Sequence, residues 1–175
     1  MISIISGKYK GKKLYPFKHP KVRPTQAKIR KSIFQILEPF SSLKILDLYA
    51  GVGTLGFESI SRGASSVVLV EKSKNVYQIL KKNMTLFEGE NIQLYLSDSI
   101  KYLKRTKSKF DIIFADPPYQ LIDIELLFSE AKKSLNPNGI FCLEMKKSDV
   151  KKYNFNSSNI RYYGNTQVVF WSMVE

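Results

Sequence analysis

Ile45-Leu46-Asp47-Leu48-Tyr49-Ala50-Gly51-Val52-Gly53-Thr54-Leu55-Gly56 runs from a buried apolar strand through a glycine turn into a helix. From this stretch onward short apolar strands alternate with amphipathic helices, the pattern of an α/β domain. Strands are expected over residues 44–49, 66–71, 92–97, 110–116, 139–144, 160–163 and 167–173, with helices over 54–62, 73–87, 99–106 and 124–135 between the first five. Asn136-Pro137-Asn138-Gly139 reads as a turn. The last two strands lie only a few residues apart, which favours an antiparallel hairpin over another crossover. The expected sheet is therefore seven-stranded and mostly parallel, with an antiparallel last strand.

Glycines after a central parallel strand let the backbone approach a ligand, and ligands bind at the carboxyl ends of such strands. Gly51-x-Gly53-x-x-Gly56 alone is weak evidence, and it formally fits a dinucleotide fingerprint. Glu71, about 20 residues on and at the end of the next expected strand, is placed to bind both hydroxyls of a ribose. A nicotinamide oxidoreductase is one reading of that pair. Asp47 argues against it, because a dehydrogenase usually has an aliphatic residue there, and a carboxylate suits a cationic ligand end. S-adenosylmethionine carries an ammonium group and a sulfonium. Asp98, with Ser99 beside it, ends the third strand, where an adenine amino group would find an acceptor; the same aspartate would serve as the N-cap of the following helix. The candidate cofactor residues are thus Asp47, Tyr49, Gly51, Gly53, Glu71, Asp98 and Ser99.

The strand Phe110-Asp111-Ile112-Ile113-Phe114-Ala115 closes on Asp116-Pro117-Pro118-Tyr119. Asp116 and Pro117 each precede a proline and are held extended, and neither proline donates a hydrogen bond. The Asp116 carboxylate and the Pro117 carbonyl form an acceptor-rich lip for an amino group, and Tyr119 offers a flat face for a planar ring. That combination suits a nucleobase with an exocyclic amine. Asp116, Pro117 and Tyr119 are the candidate catalytic residues.

The chain has 175 residues and a net charge of +13. Residues 1–31 hold eight lysines, Arg23 and Arg30 and no acid, whereas the other 144 residues set 18 basic against 15 acidic side chains. A lysine-rich composition would raise the total without concentrating it in one arm, so a polyanion-binding surface is expected there. Gly7-Lys8-Tyr9-Lys10-Gly11-Lys12-Lys13 reads as a basic hairpin, with lysines on phosphates or, alternatively, protecting a solvated edge. Thr25 caps an expected helix to about Leu37 that packs on the sheet with its first turn near the site, and Pro39 ends it. Lys8, Lys10, Lys12, Lys13, Arg23, Thr25 and Arg30 are the candidate polyanion contacts. Residues 1–40 are taken as a basic extension of the domain formed by 41–175. No apolar run approaches the ~20 residues of a membrane span. The opening residues are too short for a secretory signal core, so a cytoplasmic location and no membrane partner are expected. The lone Cys142 reads as a core thiol, and one cysteine with one histidine makes a metal site unexpected.

Asp47 with the Gly51/Gly53 loop, Glu71, Asp98 and Asp116-Pro117-Pro118-Tyr119, in this order on successive strand ends, resemble the class I S-adenosylmethionine-dependent methyltransferases that act on exocyclic amines. Gly7 to Leu14, Arg23-Pro24-Thr25 with Arg30, Asp47 to Gly56 and Arg161-Tyr162-Tyr163-Gly164 further resemble the bacterial enzymes that methylate the N2 amine of a guanine in 16S ribosomal RNA. Ser6 and Lys8 stand where those enzymes more usually have glycine and arginine, and lysines replace arginines in the arm, which removes bidentate phosphate contacts. The resemblance implies a Rossmann-like fold, S-adenosylmethionine as donor with S-adenosylhomocysteine as product, no metal, and a monomer acting on 16S ribosomal RNA in the small subunit. An adenine-N6 methyltransferase and a non-catalytic ribosome-assembly protein are the rival readings.

Overall fold

The computed structural model describes residues 2–17, 27–118, 123–147 and 158–172. The chain opens with a short antiparallel pair, β1 (Ile2–Ser3) and β2 (Lys13–Leu14), followed by helix α1 (Ala27–Leu37). Then come β3 (Lys44–Leu48), α2 (Thr54–Ser61), β4 (Ser66–Glu71), α3 (Lys74–Met84) with a 3-10 turn over Thr85–Phe87, β5 (Ile92–Leu96), α4 (Ser99–Arg105), β6 (Phe110–Ala115) and α5 (Ile124–Lys133). Three strands finish the sheet: β7 (Leu135–Lys146), β8 (Ser158–Tyr163) and β9 (Thr166–Ser172).

The seven-stranded sheet has the order β5-β4-β3-β6-β7-β9-β8. β9, the last strand in the chain, runs antiparallel to both neighbours, and all other pairings are parallel. The succession β3, β4, β5 moves one way across the sheet and β6, β7 the other, so the β3/β6 boundary is its topological switch point. β3, β4 and β6 are apolar on both faces because both are covered. α1, α2, α3 and the N-terminal hairpin pack on one face around Phe34, Phe57, Phe87 and Phe114. α4 and α5 pack on the other around Leu103, Phe128, Phe141 and Trp171.

Two local expectations change. Asn136 to Gly139 lies inside β7, where the pairing jumps from Phe110↔Leu135 to Ile112↔Ile140. Asn138 has φ 61, and Asn136 Nδ2 donates to Asp111 Oδ1 at 2.7 Å, so the turn residues make a bulge within the strand and do not precede it. The expected long helix over 73–87 breaks at Met84 into the 3-10 turn. The N-terminal segment shares the main core: Ile4, Leu14, Ile29 and Ile33 are all buried in the cluster around Phe34.

Candidate active site

The carboxyl ends of β3, β4, β5 and β6 lie along one edge of the sheet, as the registers Leu48↔Val70, Leu48↔Ala115 and Glu71↔Leu96 require. The glycine loop, Glu71, Asp98 and Asp116 therefore line one edge, although they are drawn from positions 51 to 116 of the chain. The loop is wound tightly: Tyr49, Gly51 and Gly53 all have positive φ, at 58°, 57° and 88°. A bulky residue such as Tyr49 rarely adopts that conformation outside functional sites. Gly53 N donates to Ala50 O at 2.8 Å, and Phe57 N to Gly53 O at 2.9 Å starts α2. A Cβ at Gly53 would lie 2.2 Å from the Phe57 ring and 2.8 Å from Leu80 Cδ1 on α3, whereas one at Gly56 would lie 2.3 Å from Leu69 Cδ2 on β4, so Gly56 lets α2 pack close to the sheet and Gly53 leaves room for the Phe57 ring and α3. A Cβ at Gly51 would meet only the Tyr49 carbonyl, at 4.0 Å, so this peptide faces outward from the loop.

Each expected cofactor acid is anchored to backbone. Glu71 Oε2 accepts from Gly51 N at 3.0 Å and its Oε1 from Ser73 N at 2.7 Å, which ties the glycine loop to the end of β4. Asp98 Oδ1 accepts from Ile100 N and Lys101 N, both at 3.1 Å, capping α4, while its Oδ2 lies 3.6 Å from Lys72 Nζ. Its capping role and its position at the strand end thus coexist. Tyr49 reaches this corner: burial pushes its hydroxyl up to about 12, Asp98 adds to the rise, and a hydrogen bond with the buried Ser99 opposes it.

Asp47 is only 2% exposed, and its Oδ2 accepts from Gly56 N at 2.9 Å. The carboxylate expected to face a cation sits beneath the loop and fixes the start of α2 from below. Burial pushes it up to about 7, the Gly56 N–H opposes the rise, and Glu71 adds to it. A folded value above the unfolded one means that the carboxyl stabilises the fold fully only below its ordinary value of 3.8, and that this contribution is lost as pH rises through about 7. Asp47→Asn keeps an oxygen for Gly56 and does not titrate. Urea unfolding of both proteins should show the wild type losing stability relative to D47N between about pH 4 and about pH 7. A difference that stays flat over that range would remove the buried ionisation.

Asp116 is half-buried at the end of β6, Pro117 is buried and Pro118 is exposed. Tyr119, Arg23 and Thr25 lie outside the described residues. Cys142, one strand over from Phe114 in register, is a buried thiol pushed well up by burial and by Glu144, Asp116 and Asp47 around it. Among the described residues no three His, Cys, Asp or Glu side chains are grouped to hold a metal ion. No described helix is long and apolar enough to cross a membrane.

The basic residues are placed differently from the expectation. Lys8 N donates to Ser61 O at 2.7 Å, at the carboxyl end of α2, and Lys8 Nζ lies 2.7 Å from Glu90 just before β5. Both points belong to the edge where the parallel strands start, since Ser65 N bonds Leu43 O and Val67 N bonds Asn91 O. The hairpin tip therefore sits at the edge opposite Asp116. Lys8 and the Tyr9 hydroxyl hold Glu90 below the usual carboxylate range. Lys12 Nζ donates to Leu86 O at 2.6 Å and lies over the Tyr9 and Phe87 rings. Lys10 and Lys13 are exposed. Arg30 is 4% exposed; it donates to Ser3 O at 2.8 Å, and burial lowers its ordinary value. Arg30 is thus an interior tether of β1, and Lys8 and Lys12 clamp the hairpin to the fold.

Two polar residues that the sequence reading passed over hold this arrangement. Glu58 is fully buried on α2 and accepts from Ile5 N at 2.7 Å, Ser6 N at 3.0 Å and Arg62 Nε at 2.8 Å. A carboxylate flanked by Leu55, Phe57 and Ile60 is the signal that could have revealed it. Asn83, fully buried on α3, donates to Val52 O in the glycine loop at 2.9 Å and bonds both Tyr15 N and Tyr15 O. Beside Lys81 and Lys82 it looks like a surface residue, and nothing in the sequence marks it.

The family described as conserved hypothetical protein 95 has a sequence model that matches residues 2–172. Ribosomal RNA small subunit methyltransferase D of Buchnera aphidicola subsp. Acyrthosiphon pisum is 37% identical over 150 residues, covering 83% of this chain and 78% of that protein. The Haemophilus influenzae protein of the same name is 32% identical over 153 residues, covering 83% and 79%. Among solved structures, yhhF of Escherichia coli superposes with a TM-score of 0.87 at 25% identity over 98% of this chain and 97% of that one. The 16S rRNA N2 methyltransferase RsmC of Thermus thermophilus, in complex with AdoMet and guanosine, shares the fold at a TM-score of 0.74 and 24% identity, over 89% of this chain and 44% of that one. A seven-stranded α/β sheet with a glycine loop beside an Asp-Pro-Pro lip, and identity of this extent along the chain, lead to one conclusion: the chain belongs to the ribosomal RNA small subunit methyltransferase D family.

Proposed function

We propose that this protein transfers a methyl group from S-adenosylmethionine to the exocyclic N2 amine of a guanine in 16S ribosomal RNA. The observation that carries the reading is the pairing of β3 with β6, which sets the glycine loop and the Asp116-Pro117 lip side by side at the switch point of the sheet. The names of the relatives support ribosomal RNA as the substrate. The Thermus thermophilus neighbour, described as an N2 methyltransferase with guanosine bound, supports the choice of amine.

The donor supplies an electrophilic methyl on a sulfonium. Glu71, already fixed beside Gly51, is placed for the ribose hydroxyls, and Asp98 with Ser99 for the adenine edge. Tyr49 borders that corner, and Asp47 keeps the loop in shape from beneath. The outward-facing Gly51 peptide forms the floor against which the donor lies. Asp116 and the Pro117 carbonyl would accept hydrogen bonds from the two N–H groups of the target amine, turn its lone pair toward the methyl carbon and stabilise the positive charge growing on nitrogen; S-adenosylhomocysteine would leave as the C–S bond breaks, and the methylated nitrogen would release its extra proton to solvent. Tyr119 offers its ring to the base, which must leave its stack to reach the lip.

Gly51→Val tests the floor. The αL backbone there costs a side chain about 1–2 kcal/mol, a tolerable strain, while the isopropyl group projects over the loop. Calorimetric affinity for S-adenosylmethionine should fall at least about a hundredfold, about 2.7 kcal/mol, in a protein that still folds. Unchanged affinity would refute the loop assignment. The reading as a whole is tested by labelled-methyl transfer to total RNA, protein-bearing small subunits and DNA, followed by nucleoside analysis. N2-methylguanosine in 16S RNA is the expected product. Label in N6-methyladenosine would redirect the same lip to the other amino base, and no transfer at all would leave a binding protein.

A further inference from the structure

With the N-terminal tip at the far edge, a different surface borders the lip. β7 continues past the level of β6: Leu143 pairs with Ala115, and the strand runs on to Lys146, which pairs with Thr166. Thr166 in turn pairs with Tyr163, so the β8–β9 turn, Gly164-Asn165, stands about two residues, roughly 7 Å, beyond the level of Asp116 on the same edge. Gly164 takes φ 59, which suits a two-residue hairpin turn, and a Cβ built on it meets nothing within 4 Å. The turn is held stiffly, because Lys147 N donates to Asn165 O at 2.8 Å and the Tyr163 hydroxyl hydrogen-bonds the Ser32 hydroxyl on α1.

This tip is basic and aromatic. Lys146, Lys147 and Arg161 are exposed, and among the described residues no carboxylate forms an ion pair with any of them. Arg161 donates to Asn159 on its own strand. Tyr162 is 57% exposed, and Lys147 Nζ lies 5.6 Å from its ring centroid. Cations around an exposed ring on a rigid hairpin match a single-stranded nucleic acid, whose phosphates take the charges and whose bases stack on the ring. At a strand spacing of about 4.8 Å, Lys146 lies one strand from the lip and Tyr162 three, a span of a few nucleotides.

We infer that the β8–β9 tip, with Lys146, Lys147, Arg161 and Tyr162, is the docking surface that seats single-stranded RNA flanking the target nucleotide beside the Asp116 lip. The inference rests on RNA being the substrate and adds where the strand lies. It also assigns the basic hairpin at residues 7–13 no contact with the nucleotides at the lip.

The test measures anisotropy of fluorescently labelled 16S RNA fragments, including single-stranded ones, with the full chain across a salt series, alongside methyl-transfer kinetics on small subunits. K146E/K147E should weaken RNA binding at least about tenfold and reduce the salt slope by about one to two. Its KM for RNA should rise in step, with kcat and S-adenosylmethionine affinity within about twofold of wild type. Y162A, which keeps every charge, should weaken binding at least about fivefold with little change in slope, as loss of one base–aromatic stack would. K10E, at the opposite edge, should bind as wild type does. RNA affinity within twofold of wild type for K146E/K147E and Y162A, or an equal or larger loss in K10E, would overturn the assignment. Methyl transfer by the wild type decides the activity separately: if it modifies no RNA, the catalytic reading fails, while the binding arms still decide whether this tip holds RNA.

Discussion

Asp116→Ala is expected to lower turnover by about 10²–10³-fold while S-adenosylmethionine affinity stays near that of the wild type. An aryl amine is a weak nucleophile because its lone pair is delocalised into the ring. The group that orients the lone pair and accepts positive charge on nitrogen acts mainly in the transition state, and removing a comparable preorganised group costs about 10²–10³ in kcat. The residues proposed to border the cofactor have anchors other than Asp116: Glu71 is held by Gly51 and Ser73, Asp98 by the first turn of α4, and Asp47 by Gly56. Cofactor binding should therefore survive the change. Asp116→Asn, which keeps a carbonyl acceptor and loses the charge, should fall between the two. Single-turnover methyl transfer and a calorimetric titration on the same preparations check the pair. Turnover within a few-fold of wild type in D116A would remove Asp116 from the chemistry, and a parallel loss of cofactor affinity would make it a structural residue.

The sheet and the glycine loop after β3 were legible because their signals are local. Ile45 to Leu48, Val67 to Val70 and Ile112 to Ala115 are apolar runs that only a doubly covered strand accommodates. Glycines at 51, 53 and 56 mark backbone that a side chain would block or strain, and Asp98 could be read both as a cap and as a strand-end acid because one oxygen serves each purpose. The place of the N-terminal arm was not legible, for an equally physical reason. A run of lysines has the same appearance whether the ammonium groups meet phosphate or, as with Lys8 on Glu90 and Lys12 on Leu86 O, clamp a hairpin to its own fold. The partners lie 74 and 82 positions away, and no local pattern carries such a contact. The place of Arg30 was hidden similarly, since helical periodicity gives the face of a residue and not the carbonyl of Ser3 that waits there. At the other end, Arg161-Tyr162-Tyr163-Gly164 was visible as a motif, but its position above the lip depends on β9 inserting between β7 and β8, an order fixed only by pairing.

Glu58→Ala should be the most destabilising single change on the N-terminal side of the molecule, by about 3–5 kcal/mol. Its carboxylate is fully buried and satisfies Ile5 N and Ser6 N, which have no strand partner to take its place, while Arg62 Nε completes a buried ion pair. Truncation leaves two half-buried N–H groups and a nearly buried cation under a packed hairpin; among the described carboxylates Arg62 then pairs with Glu38 alone, which is half exposed. Removing one member of a buried pair costs more than the pair contributes, because the survivor stays desolvated. For a chain of this size the melting temperature should fall by about 10 °C. Glu58→Gln, which retains one acceptor oxygen for a backbone N–H, should lose less. The same substitution also separates two roles for the arm. If the hairpin only braces α2 and α3 from the far edge, E58A below its melting point should keep kcat and the KM for RNA within about twofold of wild type, while proteolysis near residues 5–9 accelerates. An arm that reads the nucleotides at the lip would instead raise the KM in proportion to its undocking, and stability within 1 kcal/mol of wild type would deny Glu58 its anchoring role altogether.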